Sequence, residues 1–329
     1  MRARVQRSGK TYFYFDTGAR PRKEIPLGSD FILALGKYAQ LNTVEMPVNG
    51  TAFSDVIAKY ETDALPKLAP NTRKMYRSDI KHVQAFFSTA PLDEIRPTHI
   101  KQFLDKHRDK PTTANRCKRL FSTMWNHARG WGYTDQPNPC EGIKGHSLKK
   151  RTVYITDAVF AAVYAHATAP LRDAMDLAYL TGQRPADALR MSVHDIVEGH
   201  LIVTQEKTKQ PLRIMISGEL AALIERIELR RKTHKVVTAA LLVNIYGKPL
   251  TAPALRNQFD EARTLAAIAA PDLADAIKNF WFYDLRAKAA DDTSDERGDQ
   301  AASDLLGHDS VKTTQRHYLR RGKIVAPTR

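Results

Sequence analysis

A stretch of chain-breaking residues, 136–151 (QPNPCEGIKGHSLKKR), divides this chain of 329 residues. It contains two prolines and two glycines and ends in three consecutive cations, a composition typical of an extended interdomain linker. The sequence on either side is long enough for at least one further domain. It therefore predicts a multidomain, mainly α-helical protein with a small β-rich unit at 1–48, a helical unit at 51–135, the linker at 136–151 and a mixed α+β unit at 152–329.

Composition limits the kinds of site and the compartment that we expect. Hydrophobic residues make up 43% of the chain, enough for each domain to bury a core. No apolar run approaches the roughly 18 residues of a membrane span, and no apolar segment of a signal peptide follows the N-terminal MRARVQRSGK. Cys117 and Cys140 lie far apart without neighbouring His pairs, which excludes a disulfide framework and argues against a structural zinc site. We expect a cytoplasmic protein.

Positive charge is concentrated in the first half of the chain. The formal net charge is +15, and residues 1–150 contribute 26 Lys and Arg against 14 Asp and Glu, a net of +12. Such an excess favours a polyanionic partner, most commonly nucleic acid. An acidic lipid surface is the competing partner, but no basic amphipathic helix with a wide apolar face stands alone in the sequence.

The first 48 residues have the pattern of a small basic sheet followed by a helix. Strands are predicted at Lys10–Phe15 and Lys23–Leu27, a helix at Phe31–Leu41 and a linker at Val44–Gly50. Seven cations decorate this unit: Arg2, Arg4, Arg7, Lys10, Arg20, Arg22 and Lys23. DNA binding and a merely solvated surface are equally compatible with these cations.

Residues 51–132 have the periodicity of a helical bundle. Four helices are predicted, starting near Phe53, at Asn71 or Thr72, at Pro97 and at Thr113, with apolar side chains such as Met75 directed inward. The opposite faces and the linker carry three groups of cations: Arg73, Arg77 and Lys81; Arg116 and Arg119; Lys149, Lys150 and Arg151. Because rows of cations on helices can line a phosphate backbone, we predict that these residues contact DNA. A solvated face is the alternative interpretation.

The last unit alternates helices with one hairpin. A helix begins at Thr156–Asp157, an apolar helix ends at Gly182, and further helices are predicted near 218–233 and 253–268. Two β-rich runs, His200–Gln205 and Pro211–Ile216, flank a loop that carries two lysines. Phe280–Ala290 is predicted as a helix and the acidic run Asp291–Gln300 as a loop. Gly307 stops the next helix, and Thr313-Thr314 precedes a short one that carries Tyr318.

Five residues of this unit form a set suited to phosphoryl transfer: Arg184, Lys207, Arg286, His308 and Tyr318. Two arginines can hold a phosphate and stabilise a pentacoordinate phosphorane. A lysine on a mobile hairpin can protonate a leaving alkoxide, and a tyrosine can attack phosphorus. Because the arginines supply the positive charge, the set requires no metal and no other cofactor.

Taken in order, four motifs resemble those of the tyrosine recombinases, in particular phage and mobile-element integrases. They are Thr181-Gly182-Gln183-Arg184 with Ala188-Leu189, Lys207-Thr208-Lys209, Asp284-Leu285-Arg286, and Leu306-Gly307-His308 with Thr313-Thr314 and Tyr318. The helical unit is similar, more weakly, to the core-binding domain of that family. Residues 1–48 are only suggestive of its arm-type DNA-binding unit.

The resemblance implies a site-specific DNA recombinase, an integrase that inserts or excises a phage or mobile element. Tyr318 is then the nucleophile and forms a 3′-phosphotyrosyl link, while Arg184 and Arg286 hold the scissile phosphate. Lys207 protonates the departing 5′-hydroxyl, and His308 assists at the phosphate and accepts the phenolic proton. The resemblance further implies double-stranded attachment sites, a homotetramer on DNA built from monomers or weak oligomers, a DNA-bending accessory protein and a nucleoid location when bound.

Two features depart from the family pattern. The second-arginine box usually begins with His, but Tyr283 occupies that place, where we expect an auxiliary contact with the phosphate. The usual spacing from the Gly-His pair to the tyrosine is one residue shorter, so the local helix must start or bend differently. His317 adjoins Tyr318, but a phenol is the better nucleophile candidate.

Two other functions remain open from the sequence. A type IB topoisomerase-like enzyme would use the same five residues to nick and relax DNA as a monomer. A DNA-binding regulator without chemistry would keep the fold and lose the reaction. The separate N-terminal unit favours recombination over the first alternative, and the complete set of five residues argues against the second.

Overall fold

The computed structural model describes residues 2–6, 9–16, 20–21, 23–31, 34, 37, 51–236, 238–322, 325 and 327–328. The chain forms two compact units, Met1–Lys149 and Lys150–Arg329. The predicted helix Phe31–Leu41 lies largely outside the described residues, and the predicted linker Val44–Gly50 lies wholly outside them. No helix in these ranges combines the length and the apolar character that a bilayer crossing needs.

A three-stranded antiparallel sheet begins the first unit. Its strands are β1 (Arg2–Val5), β2 (Thr11–Asp16) and β3 (Glu24–Gly28), with β2 in the centre. The strands predicted at Lys10–Phe15 and Lys23–Leu27 are confirmed with a shift of one residue. Phe15 and Leu27 form a small buried cluster with Ala34.

Four helices follow: α1 (Phe53–Asp63), α2 (Pro70–Phe87), α3 (Pro97–Lys106) and α4 (Pro111–Gly130). Proline occupies the first position of the last three, where its missing N–H removes no intrahelical hydrogen bond. The predicted starts at Asn71 or Thr72 and at Thr113 are therefore wrong, because the prolines before them begin the helices. Phe53 stacks on Phe121 in the core at 4.4 Å between ring centroids. Met75, predicted to point inward, is 38% exposed.

The first part of the segment predicted as a linker packs on these helices. Trp125 donates a hydrogen bond from Nε1 to the carbonyl of Gln136 at 3.3 Å, and a ring nitrogen of His146 lies 2.9 Å from the carbonyl of Leu104. Cys140 is buried in the same core. The boundary between the two compact units falls near the end of the segment.

The second unit arranges its helices around a central one, α6. Its helices are α5 (Asp157–Ala165), α6 (Ala169–Thr181), α7 (Pro185–Ala188), α8 (Gly218–Lys232), α9 (Ala252–Ala269), α10 (Ala274–Lys278), α11 (Asp284–Leu306) and α12 (Val311–His317). The strands β4 (Ile196–Val197), β5 (His200–Thr204) and β6 (Pro211–Met215) form an antiparallel sheet. α6 contacts α8, α9 and α11, and its Leu171, Met175 and Leu177 are fully buried. The predicted hairpin and the helices predicted near 218–233 and 253–268 are confirmed.

Helix α11 contains a bend that returns its end to its beginning. Gly298 departs from helical geometry with φ 87° and ψ 163°, a conformation that glycine adopts without the strain of a side chain. Arg286 in the first turn donates to the carbonyl of Leu306 in the last at 2.8 Å. A straight helix of this length would separate its ends by about 35 Å. The bend therefore divides α11 into two limbs whose ends meet.

Two predictions for this region are wrong. The acidic run Asp291–Gln300, predicted as a loop, lies within α11. Its carboxylates have partners far away in the sequence, because Tyr179 donates to Asp292 at 2.9 Å and the backbone of Arg320 donates to Asp291 at 2.8 Å. Thr313-Thr314, predicted to precede the last helix, lies inside α12, and Tyr318 directly follows the final residue of that helix.

Candidate active site

Two glycine-terminated helices fix the backbone of the candidate site. α6 ends at Gly182 (φ 63°) and α11 at Gly307 (φ 64°), both in the left-handed conformation. A Cβ on Gly182 would lie 3.1 Å from the side chain of Leu305, and one on Gly307 would lie 3.0 Å from Gln205. Glycine thus satisfies both the backbone conformation and the close packing. The two caps fix the direction of the chain that carries Arg184 after Gly182 and His308 after Gly307.

Arg286 lies at the centre of the site and is 1% exposed. Its Nη1 donates to the carbonyl of Gly182 at 2.7 Å, and its Nη2 donates to the carbonyl of Leu306 at 2.8 Å and to His308 Nε2 at 3.1 Å. Nε has no hydrogen-bond partner among the described residues, and no described carboxylate forms an ion pair with this guanidinium. Burial lowers the pKa of Arg286, but an arginine stays charged at neutral pH. A buried cation without a carboxylate is suited to an anionic ligand.

His308 follows the cap of α11 and is neutral. Burial, together with Arg286 and Arg184, lowers the pKa of its imidazole from 6.5 to about 4. Nδ1 lies 2.8 Å from Thr314 Oγ1 in α12. Since Nε2 accepts from Arg286, the hydrogen-bond network assigns the single ring proton to Nδ1, which donates to Thr314.

Tyr318 lies against both of these groups and is 8% exposed. The guanidinium carbon of Arg286 is 5.2 Å from the centroid of the phenol ring, and the His308 ring is 4.9 Å from it. Burial alone would raise the pKa of Tyr318, but the charge of Arg286 and a hydrogen bond with Tyr283 outweigh it and lower that pKa. The nucleophile candidate is therefore easier to ionise than an ordinary tyrosine.

Tyr283, predicted as an auxiliary phosphate contact, pairs with the nucleophile candidate in this structure. Its hydroxyl lies 2.9 Å from that of Tyr318. Burial and the neighbouring phenol raise the pKa of Tyr283 to about 12. Tyr283 is therefore the member of the pair that keeps its proton.

Arg184 precedes α7 and reaches the site through a buried glutamine. Its Nη1 donates to Gln205 Oε1 at 2.9 Å. The fully buried Gln205 in turn donates to Gln183 Oε1 and to the carbonyl of Leu306, both at 2.8 Å. The charge of Arg184 also lowers the pKa of Tyr318. The structure thus brings Arg184, Arg286, His308 and Tyr318 together.

Lys207 lies apart from these four residues. It is exposed in the turn between β5 and β6, and its side chain makes no hydrogen bond or ion pair with any residue that the structure describes. The turn itself is anchored, because Thr208 Oγ1 donates to Gln205 at 2.8 Å and the backbone N–H of Glu206 donates to Asp187 at 2.9 Å.

Sequence reasoning missed Gln205 and Asp187, which hold this turn against Arg184 and α7. One signal was present, since a glutamine directly follows the apolar strand β5, where a buried amide needs partners. The partners themselves were not predictable, because they lie 22 and 101 residues away, at Gln183 and Leu306.

The residues predicted to contact DNA differ in their surroundings. Arg77, Lys81, Arg119, Lys149 and Lys150 are exposed, and Arg73 is partly exposed. Arg116 instead forms a two-point ion pair with the buried Asp79, at 2.5 and 2.6 Å. Arg151 pairs with the buried Asp284 and stacks on Trp281 at 3.8 Å. These two guanidiniums already have partners within the chain.

The described residues contain no candidate metal site. No group of three or more His, Cys, Asp or Glu side chains there is arranged to hold a metal ion.

Curated relatives and solved structures resemble the chain over nearly its whole length. The integrase of Escherichia phage HK022 is 26% identical over 341 residues, covering 96% of this chain and 92% of that protein. A lambda integrase dimer bound to a COC' core site has a TM-score of 0.72 at 22% identity and covers 99% of this chain and 97% of that one. A lambda integrase tetramer bound to a Holliday junction gives the same TM-score and coverage at 21% identity.

Two family models match separate parts of the chain. Residues 52–108 match the N-terminal SAM-like domain of phage integrases. Residues 154–323, more than half of the chain, match the phage integrase family. The protein therefore belongs to the phage integrase family, and its activity is that of a tyrosine-type site-specific DNA recombinase.

Proposed function

We propose that this chain cuts and rejoins DNA through a covalent link between Tyr318 and a 3′-phosphate. The observation that carries this proposal is the buried guanidinium of Arg286, which has no carboxylate partner among the described residues and lies 5.2 Å from the phenol ring. A scissile phosphate supplies the missing negative charge. The phenol beside it is the group that attacks phosphorus.

The reaction is a pair of transesterifications. The Tyr318 oxygen forms a bond to phosphorus, and the bond from phosphorus to the 5′-oxygen breaks. Arg184 and Arg286 stabilise the charge on the phosphorane, and Lys207 protonates the departing 5′-oxygen. His308, neutral because of its lowered pKa, assists at the phosphate. It accepts the phenolic proton at Nε2 once the phosphate has taken the Arg286 N–H that this nitrogen accepts in the structure. A 5′-hydroxyl of the partner strand then reverses these steps, so the bond energy is conserved and no ATP is needed.

Lys207 reaches the phosphate by a movement of its long side chain, while the backbone of its turn stays in place. Its exposed position in the turn supports this, because the turn is anchored at Gln205 and Asp187 while the lysine itself has no described partner. DNA entering the site would attract the cation by its phosphate charge. Lys207, the proton donor, therefore joins the site only when DNA binds.

The wider assembly is inferred by similarity to lambda integrase. We propose that four protomers act on two double-stranded attachment sites, as the tetramer on a Holliday junction suggests, and that free protomers are monomers or weak oligomers. Residues 51–135 would hold the core site and residues 1–48 a second DNA segment, and the end of the segment 136–151 would serve as the linker. An accessory protein would bend the DNA, and the complex would reside in the nucleoid and integrate or excise a phage or mobile element.

A nicked suicide substrate tests the chemistry. We expect the wild type to form a covalent protein–DNA adduct, and Tyr318→Phe to bind the same DNA with similar affinity without forming one, since it removes one oxygen and no positive charge. An adduct that persists in this variant, on His317 or elsewhere, would falsify the assignment. Recombinant product from two duplexes would then separate recombination from simple nicking and relaxation.

A further inference from the structure

The residues directly after Tyr318 are bound to the first limb of α11. The backbone N–H groups of Arg320 and Arg321 donate to the same atom, Asp291 Oδ1, at 2.8 and 3.2 Å. The guanidinium of Arg320 donates to Asp284 Oδ1 at 2.7 Å. We call Asp284, Asp291 and Arg320 the post-tyrosine clamp.

The clamp is shielded from water. Asp284 is 0% and Asp291 3% exposed, and the side chain of Arg320 is 5% exposed. Exposed ion pairs contribute little to stability because solvent screens them. The contacts of the clamp are buried and are therefore screened much less. Asp291 Oδ2 has no hydrogen-bond partner among the described residues, so the hydrogen bonds made by this carboxylate go to the chain that follows the tyrosine.

Tyr318 lies just beyond the end of α12, with anchoring contacts on both sides. On its N-terminal side, its own N–H donates to the carbonyl of Thr314 at 2.8 Å. Thr314 is tied to His308 through its hydroxyl. On its C-terminal side the N–H of Leu319 also donates to the carbonyl of Thr314, at 3.2 Å. Beyond Leu319 no further helix follows in the described chain, and the clamp provides the next anchoring contacts.

We propose that the post-tyrosine clamp is a positioning element, which holds Tyr318 against Arg286 of the same chain before DNA arrives. The proposal rests on the recombinase chemistry proposed above. Positioning matters because a displacement of about 1 Å between reacting groups can slow a reaction about 100-fold. Release of the clamp should therefore slow the covalent step while leaving DNA affinity unchanged.

Substitutions at Asp291 test the clamp with an isosteric control. Asp291→Ala removes the acceptor of two backbone N–H groups, whereas Asp291→Asn keeps an oxygen in its place. At saturating protein on a nicked suicide substrate, we expect Asp291→Ala to slow single-turnover adduct formation about tenfold or more, with an unchanged Kd for DNA, and Asp291→Asn to stay near the wild-type rate. Equal slowing in both variants would overturn the proposal.

A matched variant controls for a general loss of stability. Tyr164→Phe removes a hydrogen bond of 2.7 Å to Asp176 that involves no residue of α11, and should form the adduct at the wild-type rate. If it is slowed as much as Asp291→Ala, the clamp has no specific role. Arg320→Gln is a second test that leaves Asp284 paired with Arg151, and wild-type rates in both clamp variants would also overturn the proposal.

Trypsin supplies a measurement that does not depend on activity. We expect the DNA-free wild type to resist cutting after Arg320 and Arg321, and Asp291→Ala and Arg320→Gln to be cut after Arg321 at least several-fold faster, because local release exposes this segment. Equal digestion of all variants would refute the clamp. Failure of the wild type to form an adduct would instead refute the proposed chemistry and leave digestion to decide on the clamp.

Discussion

The hydroxyl oxygens of Tyr283 and Tyr318 lie 2.9 Å apart and share one hydrogen bond. Burial and the neighbouring phenol raise the pKa of Tyr283 to about 12, while Arg286 and the shared bond lower the pKa of Tyr318 against the effect of burial. Tyr318 is therefore the member of the pair that ionises first, and Tyr283 then donates the shared hydrogen bond to its oxygen. A phenol at the position where tyrosine recombinases usually have His thus pairs with the nucleophile candidate.

Replacing Tyr283 with Phe should make Tyr318 harder to ionise. Loss of a hydrogen bond to a charged group costs about 1.5–3 kcal/mol, so we expect adduct formation near pH 7 to fall about tenfold or more. The pH–rate profile should shift to higher pH, since the pKa of Tyr318 rises. Tyr283→His restores a donor and should recover much of the rate. An unshifted profile would assign Tyr283 to the phosphate.

Lys207→Ala should cleave an ordinary phosphate poorly, because the leaving 5′-oxygen needs a proton. The defect should largely disappear on a substrate with sulfur in place of that oxygen, since a thiolate leaves without protonation. Lys209→Ala, in the same turn, serves as the control and should cleave both substrates well. Equal defects of Lys207→Ala on the two substrates would assign the lysine to binding.

Arg286 should make the free protein sensitive to tetrahedral anions. A ligand that binds the folded state stabilises it in proportion to ln(1 + [L]/Kd), so phosphate or vanadate should raise the Tm of the wild type. Arg286→Met should show a smaller rise, while Arg119→Met, which alters an exposed cation, should respond like the wild type. Identical anion responses of wild type and Arg286→Met would contradict an anion site at Arg286.

His308 should make stability depend on pH between about 4 and 6.5. Its pKa is 6.5 in the unfolded chain and about 4 in the fold, so the unfolded chain binds the additional proton in this window. The contribution is complete above pH 6.5 and is lost as the pH falls towards 4. Urea unfolding at pH 7 and pH 5 should show a smaller difference for His308→Gln than for the wild type. An equal difference would show that His308 is not buried as a neutral ring.

Deletion of residues 1–48 should separate DNA affinity from chemistry. If the N-terminal sheet touches DNA, its loss should weaken binding and flatten the slope of log affinity against log salt, because fewer counterions are released. Arg2 and Arg4 already pair with Asp16 and Glu24, so the change in slope should be smaller than the count of cations suggests. Cleavage of a short core site at saturating protein should persist. Equal slopes would end the DNA-binding interpretation.

Local signals in the sequence predicted the ends of helices at the site. Gly182 and Gly307 were expected to stop α6 and α11 and do so in the left-handed conformation. Pro185 likewise opens α7 directly after Arg184, at the first helical position that proline favours. Such signals are readable because each depends on one or two adjacent residues.

Features that depend on distant residues were not predictable in the same way. The acidic run after Ala290 suggested a loop, because the sequence does not show that Tyr179, Arg320 and Arg321 supply partners for its carboxylates. The bond between Tyr283 and Tyr318 joins residues 35 positions apart, and it exists because the two limbs of α11 meet. Four of the five residues predicted from the sequence come together in the structure, Lys207 lies apart from them, and the pairing of the four became visible only in the fold.

The positions of the site residues depend on the angle between the two limbs of α11 at Gly298. The second limb of α11, eight residues after the bend, is about 12 Å long, so a rotation of about 10° at Gly298 moves its far end by about 2 Å. That shift is as large as the margin between a hydrogen bond and a broken one at Arg286. A change of the bend angle at Gly298 therefore moves the end of the helix, and with it His308. An exposed residue without a side chain, one limb of the helix away from His308, thus controls how accurately the four groups are placed.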